Sequence, residues 1–246
     1  MNKKTVIVTG ASGGIGRAIT DGLLARGYRV IGACRHPESL PDHPDIERLH
    51  LDLQSFESVR HAAASLQGIE LWGIINNAGI MPVRETVITA DGLERTYQVN
   101  YAATRLFTEL LAPQVADGGV IVFTSSVARK CACGTDRAEE RAAAARTPWQ
   151  RFSAYGRTKL LLCHLTAQMA RELAPRHIRV NAATPGVVDT GLLRLGWKGV
   201  DWLADRLFRP FISTPAEGAS AALRAFASTD TGRLYCQRGP LRLPTP

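Results

Sequence analysis

Residues 4–26 read KTVIVTGASGGIGRAITDGLLAR, and this stretch decides the fold. The β-branched run 4–9 lacks the polar alternation of a half-exposed strand, so it predicts a strand buried on both faces in a parallel sheet. A glycine-rich turn follows, Thr9-Gly10-Ala11-Ser12-Gly13-Gly14-Ile15-Gly16, and then an amphipathic stretch to Arg26. Strand, glycine turn and helix in that order form an arrangement for binding a dinucleotide. Gly10 permits the tight turn, the second glycine lets backbone approach a pyrophosphate, and Gly16 lets helix and strand pack closely. The helix N-terminus presents free N–H groups to the phosphates.

Gly27 ends this helix, and 28–34 predicts a second strand whose last residues are Ala33 and Cys34, with Arg35 next. NAD-binding domains usually place a carboxylate here to hold a ribose 2′-hydroxyl. None stands here, and a guanidinium can hold a 2′-phosphate bidentately. The position therefore favours NADP(H) over NAD(H). Further strands are expected at 46–51, 71–75, 119–124, 178–183 and 232–236, and helices at 55–66, 89–111, 152–173 and from Thr214 onward. Strand–helix alternation with no linker or repeat predicts one α/β domain over 1–246. The expected architecture is a Rossmann fold, a doubly wound parallel sheet of about seven strands with helices on both faces. An insertion at 128–150 interrupts the alternation. Its Ala-rich centre opens on an Asp136/Glu139 helix-start box and closes at Pro148. The apolar segment 187–211, with Trp197, Trp202, Leu203, Leu207 and Phe208, has three readings: a substrate-binding lid (187–214), a dimer contact, or core. The tail 239–246, with three prolines, is expected to be loosely ordered.

Polar residues gather where the strands end. Asp52, beside Leu53, can accept from an adenine amino group, or belong to the start of the next helix. Asn76 and Asn77, followed by Ala78 and Gly79, offer donors and acceptors beside a bound ring. Asn100, among apolar neighbours, needs partners, either as a structural amide or in a water relay. Ser125 and Ser126 end a strand, where a hydroxyl can donate to a substrate carbonyl. Tyr155 and Lys159 stand four residues apart, about one helical turn, on a shared face. An ammonium nearby favours the phenolate and lowers the tyrosine pKa, which suits proton transfer.

The 246 residues are 45% hydrophobic, ample for one large core. No apolar run reaches the ~18 residues of a membrane span. Met1-Asn2-Lys3-Lys4 leads straight into the first strand without room for a secretory signal, so a cytoplasmic protein is expected. The five cysteines (Cys34, Cys131, Cys133, Cys163, Cys236) form no framework and read as reduced thiols. Cys131 and Cys133 lack a complementary pair, and His36, His43 and His50 read as loop surface, so no metal is expected. The net charge is +8, with Lys and Arg scattered along the chain. That pattern implies a solvated surface with one local anion site, not a nucleic-acid stripe.

Together the motifs resemble the short-chain dehydrogenase/reductase family from Thr5 to about Tyr235. They run in order: Thr9-Gly10-x-x-x-Gly14-Ile15-Gly16, Asp52-Leu53, Asn76-Asn77-Ala78-Gly79, Asn100, Ser126, Tyr155-x-x-x-Lys159 and Pro185-Gly186. Within the family the chain looks most like the retinol-dehydrogenase-like group. The matching features are the Ala33-Cys34-Arg35 strand end, residues 89–94, the long Ser126–Tyr155 separation, residues 185–188 and residues 214–218. The resemblance implies hydride transfer between NADP(H) and the carbonyl or alcohol of a lipophilic small molecule, with ketone or aldehyde reduction favoured. A homodimer or homotetramer is implied too. Ser126 would hydrogen-bond the carbonyl oxygen and Tyr155 would donate the proton. Lys159 would hold the nicotinamide ribose and lower the Tyr155 pKa, and Asn100 would position a water. The implied cofactor contacts also include Ser12, Gly13, Gly14, Ile15, Asp52, Leu53, Asn77, Ala78, Gly79, Tyr155, Pro185, Gly186 and Val188, with Thr190 at the carboxamide. The alternative is a non-catalytic NADP(H)-binding sensor or interaction protein. The full set Asn100, Ser126, Tyr155 and Lys159 argues against it.

Overall fold

Strand β1 (Thr5–Thr9) is buried on both faces, with Ile7 in one apolar layer and Val6 and Val8 in the other. This explains its unbroken β-branched run: side chains alternate across the pleat, and each face meets helices. The computed structural model describes residues 3–81, 85–132, 134–186 and 214–244. In chain order follow α1 (Gly14–Leu24), β2 (Arg29–Cys34), β3 (Ile46–His50), α2 (Phe56–Ser65), β4 (Leu71–Asn76) and the helix α3 (95–111). Then come β5 (Val115–Thr124), α4 (Ala138–Ala143), α5 (Pro148–Glu172), β6 (Arg179–Ala183), α6 (Pro215–Ala227), β7 (Arg233–Cys236) and β8 (Gly239–Arg242).

The strands form one eight-stranded sheet in the order β3-β2-β1-β4-β5-β6-β7-β8. All neighbours are parallel except β7 and β8. Strand order reverses between β1 and β4, which opens a crevice at their C-terminal ends where ligands bind in such sheets. One apolar layer joins Ile7, Ile31, Ile74 and Ile121 to Val59, Phe107, Leu111, Leu162 and Leu165 of α2, α3 and α5. The other joins Val6, Val8, Val30 and Val122 to Ile19 and Leu23 of α1 and Ala222 and Phe226 of α6. Phe107 is wholly buried, and truncating such a ring to alanine costs about 3–5 kcal/mol.

Four local expectations are corrected. The sheet has an eighth strand because residues 239–242, read as a loose tail, pair antiparallel with β7 through Tyr235↔Pro240 and Leu234↔Leu241. A proline can occupy a sheet-edge strand, where its missing N–H is not needed. Thr89 to Gly92 does not open α3. It forms a turn, the Gly92 N–H donating to the Thr89 carbonyl at 3.0 Å. The helix starts at Arg95, with the Glu94 carboxylate accepting from the Tyr97 N–H at 2.8 Å. The Asp136/Glu139 box is absent. Arg137 is left-handed at φ 46°, Asp136 pairs with Arg141 at 2.8 Å, and Glu140 pairs with Arg137. Pro148 does not end the insertion but begins α5, capped by Thr147 accepting from the Gln150 N–H at 3.2 Å. Proline suits the first helical position because the N–H it lacks has no partner there.

Within α3, residues Gln98–Ala102 wind as a π-helix. The wider turn leaves the Val99 carbonyl to accept from the Thr104 hydroxyl at 2.9 Å. Such turns are frequent at functional sites, and this one carries Asn100. No helix among the described residues is long and apolar enough to cross a membrane.

Candidate active site

A cleft of ≈ 320 Å³ opens at the strand-order reversal. Its walls include the glycine turn (Gly10, Ser12, Gly13, Gly14, Ile15, Gly16), the β2 end (Cys34, Arg35, His36), Asp52 and Leu53, and Asn77, Ala78 and Gly79. Gly10 has φ +67°, a conformation that favours glycine, and its N–H donates to the Ala33 carbonyl at 2.7 Å. A side chain on Gly16 would run into the Gly10 carbonyl, so the helix can start this close to the turn only with glycine there. Gly13 caps α1 without a side-chain hydrogen bond, which leaves the first N–H groups of the helix facing the cleft mouth.

Asn77 does something other than expected. Its Nδ2 donates to the Thr9 carbonyl at 3.0 Å, and the Ala78 N–H donates to the Thr9 hydroxyl, also at 3.0 Å. The amide therefore braces the glycine turn across the crevice. Asn76 points away, into the buried side of α3, where its Nδ2 donates to Thr108 Oγ1 at 2.9 Å. Asp52 lines the cleft while its Oδ1 accepts from the Gln54 N–H at 2.9 Å, and the neighbouring helix α2 is capped by Ser55. Arg35 is exposed at the cleft and forms no ion pair with the described residues, whereas His36 pairs with Glu38 at 3.1 Å.

At the end of β5 the two serines part company. Ser125 is buried and donates to the Lys159 carbonyl at 2.8 Å. Ser126 turns outward, accepts from the Ala128 N–H at 3.2 Å, and hydrogen-bonds the Tyr155 side chain. The turn Val127–Cys131 lies directly on α5, so a side chain on Gly156 would collide with the Ala128 carbonyl. Ser153 fastens the turn's far end by donating to the Cys131 carbonyl at 3.0 Å. Lys159 is 4% exposed, its Nζ donating to the Thr124 carbonyl at 3.0 Å and lying 5.8 Å from the Tyr155 ring centroid. Asn100 clasps Ile80: its Oδ1 accepts from the Ile80 N–H at 2.8 Å and its Nδ2 donates to the Ile80 carbonyl at 2.9 Å. A Cβ on Gly79 would sit 3.0 Å from Lys159 Nζ and 3.3 Å from Asn100 Oδ1, so the two meet behind this glycine. Pro185 and Gly186 follow β6, the Pro185 carbonyl accepting from Gln237 Nε2 at 3.0 Å. Val188, Thr190, Cys133 and the segment 187–211 lie outside the described residues.

A family model described as enoyl-(acyl carrier protein) reductase matches residues 10–223. The chain belongs to the short-chain dehydrogenase/reductase family. It is 33% identical to D-erythrulose reductase of Gallus gallus over 79% of this chain and 75% of that one. It is 33% identical to retinol dehydrogenase 12 of Homo sapiens over 89% of this chain and 72% of that one. A short-chain dehydrogenase from Sphingobium yanoikuyae in complex with NADPH superposes with a TM-score of 0.72 at 26% identity, covering 95% of this chain and 87% of that one.

As a short-chain dehydrogenase/reductase the protein is an oxidoreductase, and its residues fit a nicotinamide dinucleotide. Lys159 is a buried ammonium with three donors. The Thr124 carbonyl takes one, and no carboxylate pairs with it among the described residues. Burial lowers its pKa to about 8, because the one carbonyl acceptor does not offset the loss of water around the ammonium. The expected lowering of Tyr155 by Lys159 is not found. Burial dominates and raises the Tyr155 pKa, and the hydrogen bond from Ser126 only partly opposes it. Lys159 Nζ is turned to the Thr124 carbonyl, so the ammonium does not compensate the desolvation of the phenol. Thr124, Gly156 and the bracing carbonyl and hydroxyl of Thr9 have no assigned role in the sequence. Of these Gly156 carried a signal: a glycine inside a helix costs about 1 kcal/mol relative to alanine and needs a packing reason.

Proposed function

We propose that this short-chain dehydrogenase/reductase is an NADP(H)-dependent reductase of ketones or aldehydes. The observation that carries the reading is the convergence of Ser126, Tyr155 and Lys159 beside the dinucleotide cleft. NADPH, when bound, supplies the hydride. The glycine turn and the α1 N-terminus hold the phosphates, and Arg35 takes the 2′-phosphate as a bidentate cation. The free donors of Lys159 hold the nicotinamide ribose. The carbonyl oxygen sits between Ser126 and Tyr155. Ser126 Oγ accepts from the Ala128 N–H, and its own proton, which points to the Tyr155 oxygen here, turns to the substrate oxygen when that oxygen enters between them. Tyr155 is protonated at neutral pH, as an ordinary phenol is, and burial raises its pKa further. It gives its proton to the oxygen as the carbonyl carbon gains hydride, and the product is an alcohol. The phenolate regains a proton from solvent through Lys159 and the Asn100 neighbourhood.

The test is loss of NADPH absorbance over a panel of sugar ketones, alkyl aldehydes and aryl ketones. Turnover with NADPH, and far slower turnover with NADH, is the expected result. Tight NADPH binding without turnover of any carbonyl class would favour the non-catalytic reading instead.

A further inference from the structure

Tyr155 is the last of three aromatic rings along one face of α5. The ring centroids of Trp149 and Phe152 are 6.0 Å apart, and those of Phe152 and Tyr155 are 6.3 Å apart. Each step of three residues advances about 4.5 Å along the helix axis, so the stripe extends ~9 Å from Tyr155. Trp149 is 62% exposed, more than any other large hydrophobic side chain among the described residues. Nothing in the helix start requires it, since Thr147, Pro148 and Gln150 already form the cap. Val127, 44% exposed, follows Ser126 directly. The turn bearing both rests on α5 at Gly156. Among the described residues, exposed Val127 and half-buried Phe152 thus flank the two hydroxyls that meet at the strand end, and the aromatic rings continue outward along α5 to Trp149.

We infer that Phe152 and Trp149 form a platform for the flat apolar body of the carbonyl substrate, whose oxygen is held by Ser126 and Tyr155. The inference rests on the reductase reading and names its substrate class: aryl or conjugated ketones and aldehydes that reach ~9 Å beyond the carbonyl. Tilted and offset rings at these spacings stack well on a planar partner, and such a contact adds to simple area burial. A shorter carbonyl compound held at Tyr155 does not reach the indole. Trp149 is therefore a specificity-determining residue, not a catalytic one.

The test compares kcat/KM for para-acetylbiphenyl, acetophenone and diacetyl. In Trp149→Ala the ratio of para-acetylbiphenyl to diacetyl falls ~tenfold, and Trp149→Phe recovers most of it. Exposure of the indole means that its removal does not unfold the helix. A ratio unchanged within about twofold overturns the inference. So does a change in sedimentation of Trp149→Ala with selectivity intact, which would make the indole a contact between two copies of the chain. Calorimetric binding of para-acetylbiphenyl to the protein saturated with NADP+ separates this inference from the reading beneath it. Binding that weakens ~tenfold in Trp149→Ala, without turnover in the wild type, keeps the platform and removes the reductase. Absence of binding in the wild type removes the platform.

Discussion

Lys159 Nζ lies 3.0 Å from the backbone carbonyl oxygen of Thr124, at the end of the strand whose next two residues are Ser125 and Ser126. One neutral acceptor holds a buried ammonium, and desolvation depresses its pKa to about 8. A lysine depressed on folding contributes stability that is present above its unfolded pKa and lost as pH falls through its folded one. Without cofactor, wild type should therefore gain stability relative to Lys159→Met as pH rises from about 8 to about 10.5. At pH 7 the variant should be the more stable by up to ~3 kcal/mol. Urea titrations of both proteins across this range check it. A wild-type advantage that does not change with pH would mean that the ammonium is adequately paired.

Tyr155→Phe should lower kcat by about 10²–10⁴-fold, the usual worth of a positioned proton donor. The NADPH dissociation constant should move little, because the phenol is braced by Ser126 and not by the glycine turn. For the reduction, the alkaline fall in kcat attributable to Tyr155 should lie above its ordinary pKa, because burial raises it. A pH–rate profile that falls near neutrality and flattens in Tyr155→Phe would contradict this.

Arg35→Asp should reverse coenzyme preference. A charge-assisted bond to phosphate is worth about 1.5–3 kcal/mol, roughly ten- to a hundredfold in NADPH affinity. The aspartate would gain the 2′-hydroxyl of NADH as partner. Calorimetric dissociation constants for both coenzymes decide it, and an unchanged ratio would make Arg35 a solvated charge.

Gly156→Ala adds one methyl where the Ala128 carbonyl already sits. The Ser126 turn must shift or the helix must bend, at about 1–3 kcal/mol. The glycine turn lies on the other side of the crevice. The expected signature is a loss of kcat with NADPH affinity preserved, read by steady-state kinetics beside a binding isotherm. Equal losses in both would show that the strain spreads across the sheet.

Asn100→Ala should strip both partners from the Ile80 backbone at once. Leaving partly buried groups unpaired costs about 1–3 kcal/mol each, and Gly79 and Ile80 line the cleft. Stability and NADPH affinity should fall together, with stability followed by thermal melting. A variant that loses turnover while keeping its melting temperature would instead assign Asn100 to proton relay alone.

The parts of the fold and site legible in the sequence are those whose constraint is local. The glycine spacing follows from the clash that any Gly16 side chain would make with Gly10. The buried strands show as apolar runs because both faces meet helices. The eighth strand was hidden because Pro240 is a strand breaker everywhere except at an edge, and the sequence does not mark where the edge falls. The π-turn was hidden because Val99, Ala103, Phe107 and Leu111, all buried, recur every four residues and read as an ordinary helical face. The Asn77 brace depends on Thr9, 68 residues away, and the direction of the Tyr155 shift depends on burial. Neither has a trace in a short window of sequence.

The π-turn also makes α3 a helix with one residue too many. Each residue turns an α-helix by about 100°, so a surplus residue rotates everything beyond it by that angle relative to what precedes it. Deleting Tyr101 would restore a regular ladder and release the Thr104 hydroxyl from the Val99 carbonyl. It would also swing Asn100 out of phase with Phe107 and Leu111, so that the amide could meet Ile80 only if the core-facing rings left their layer. A better-formed helix and a correctly aimed amide are incompatible in this chain, and its backbone keeps the irregular register that serves the amide.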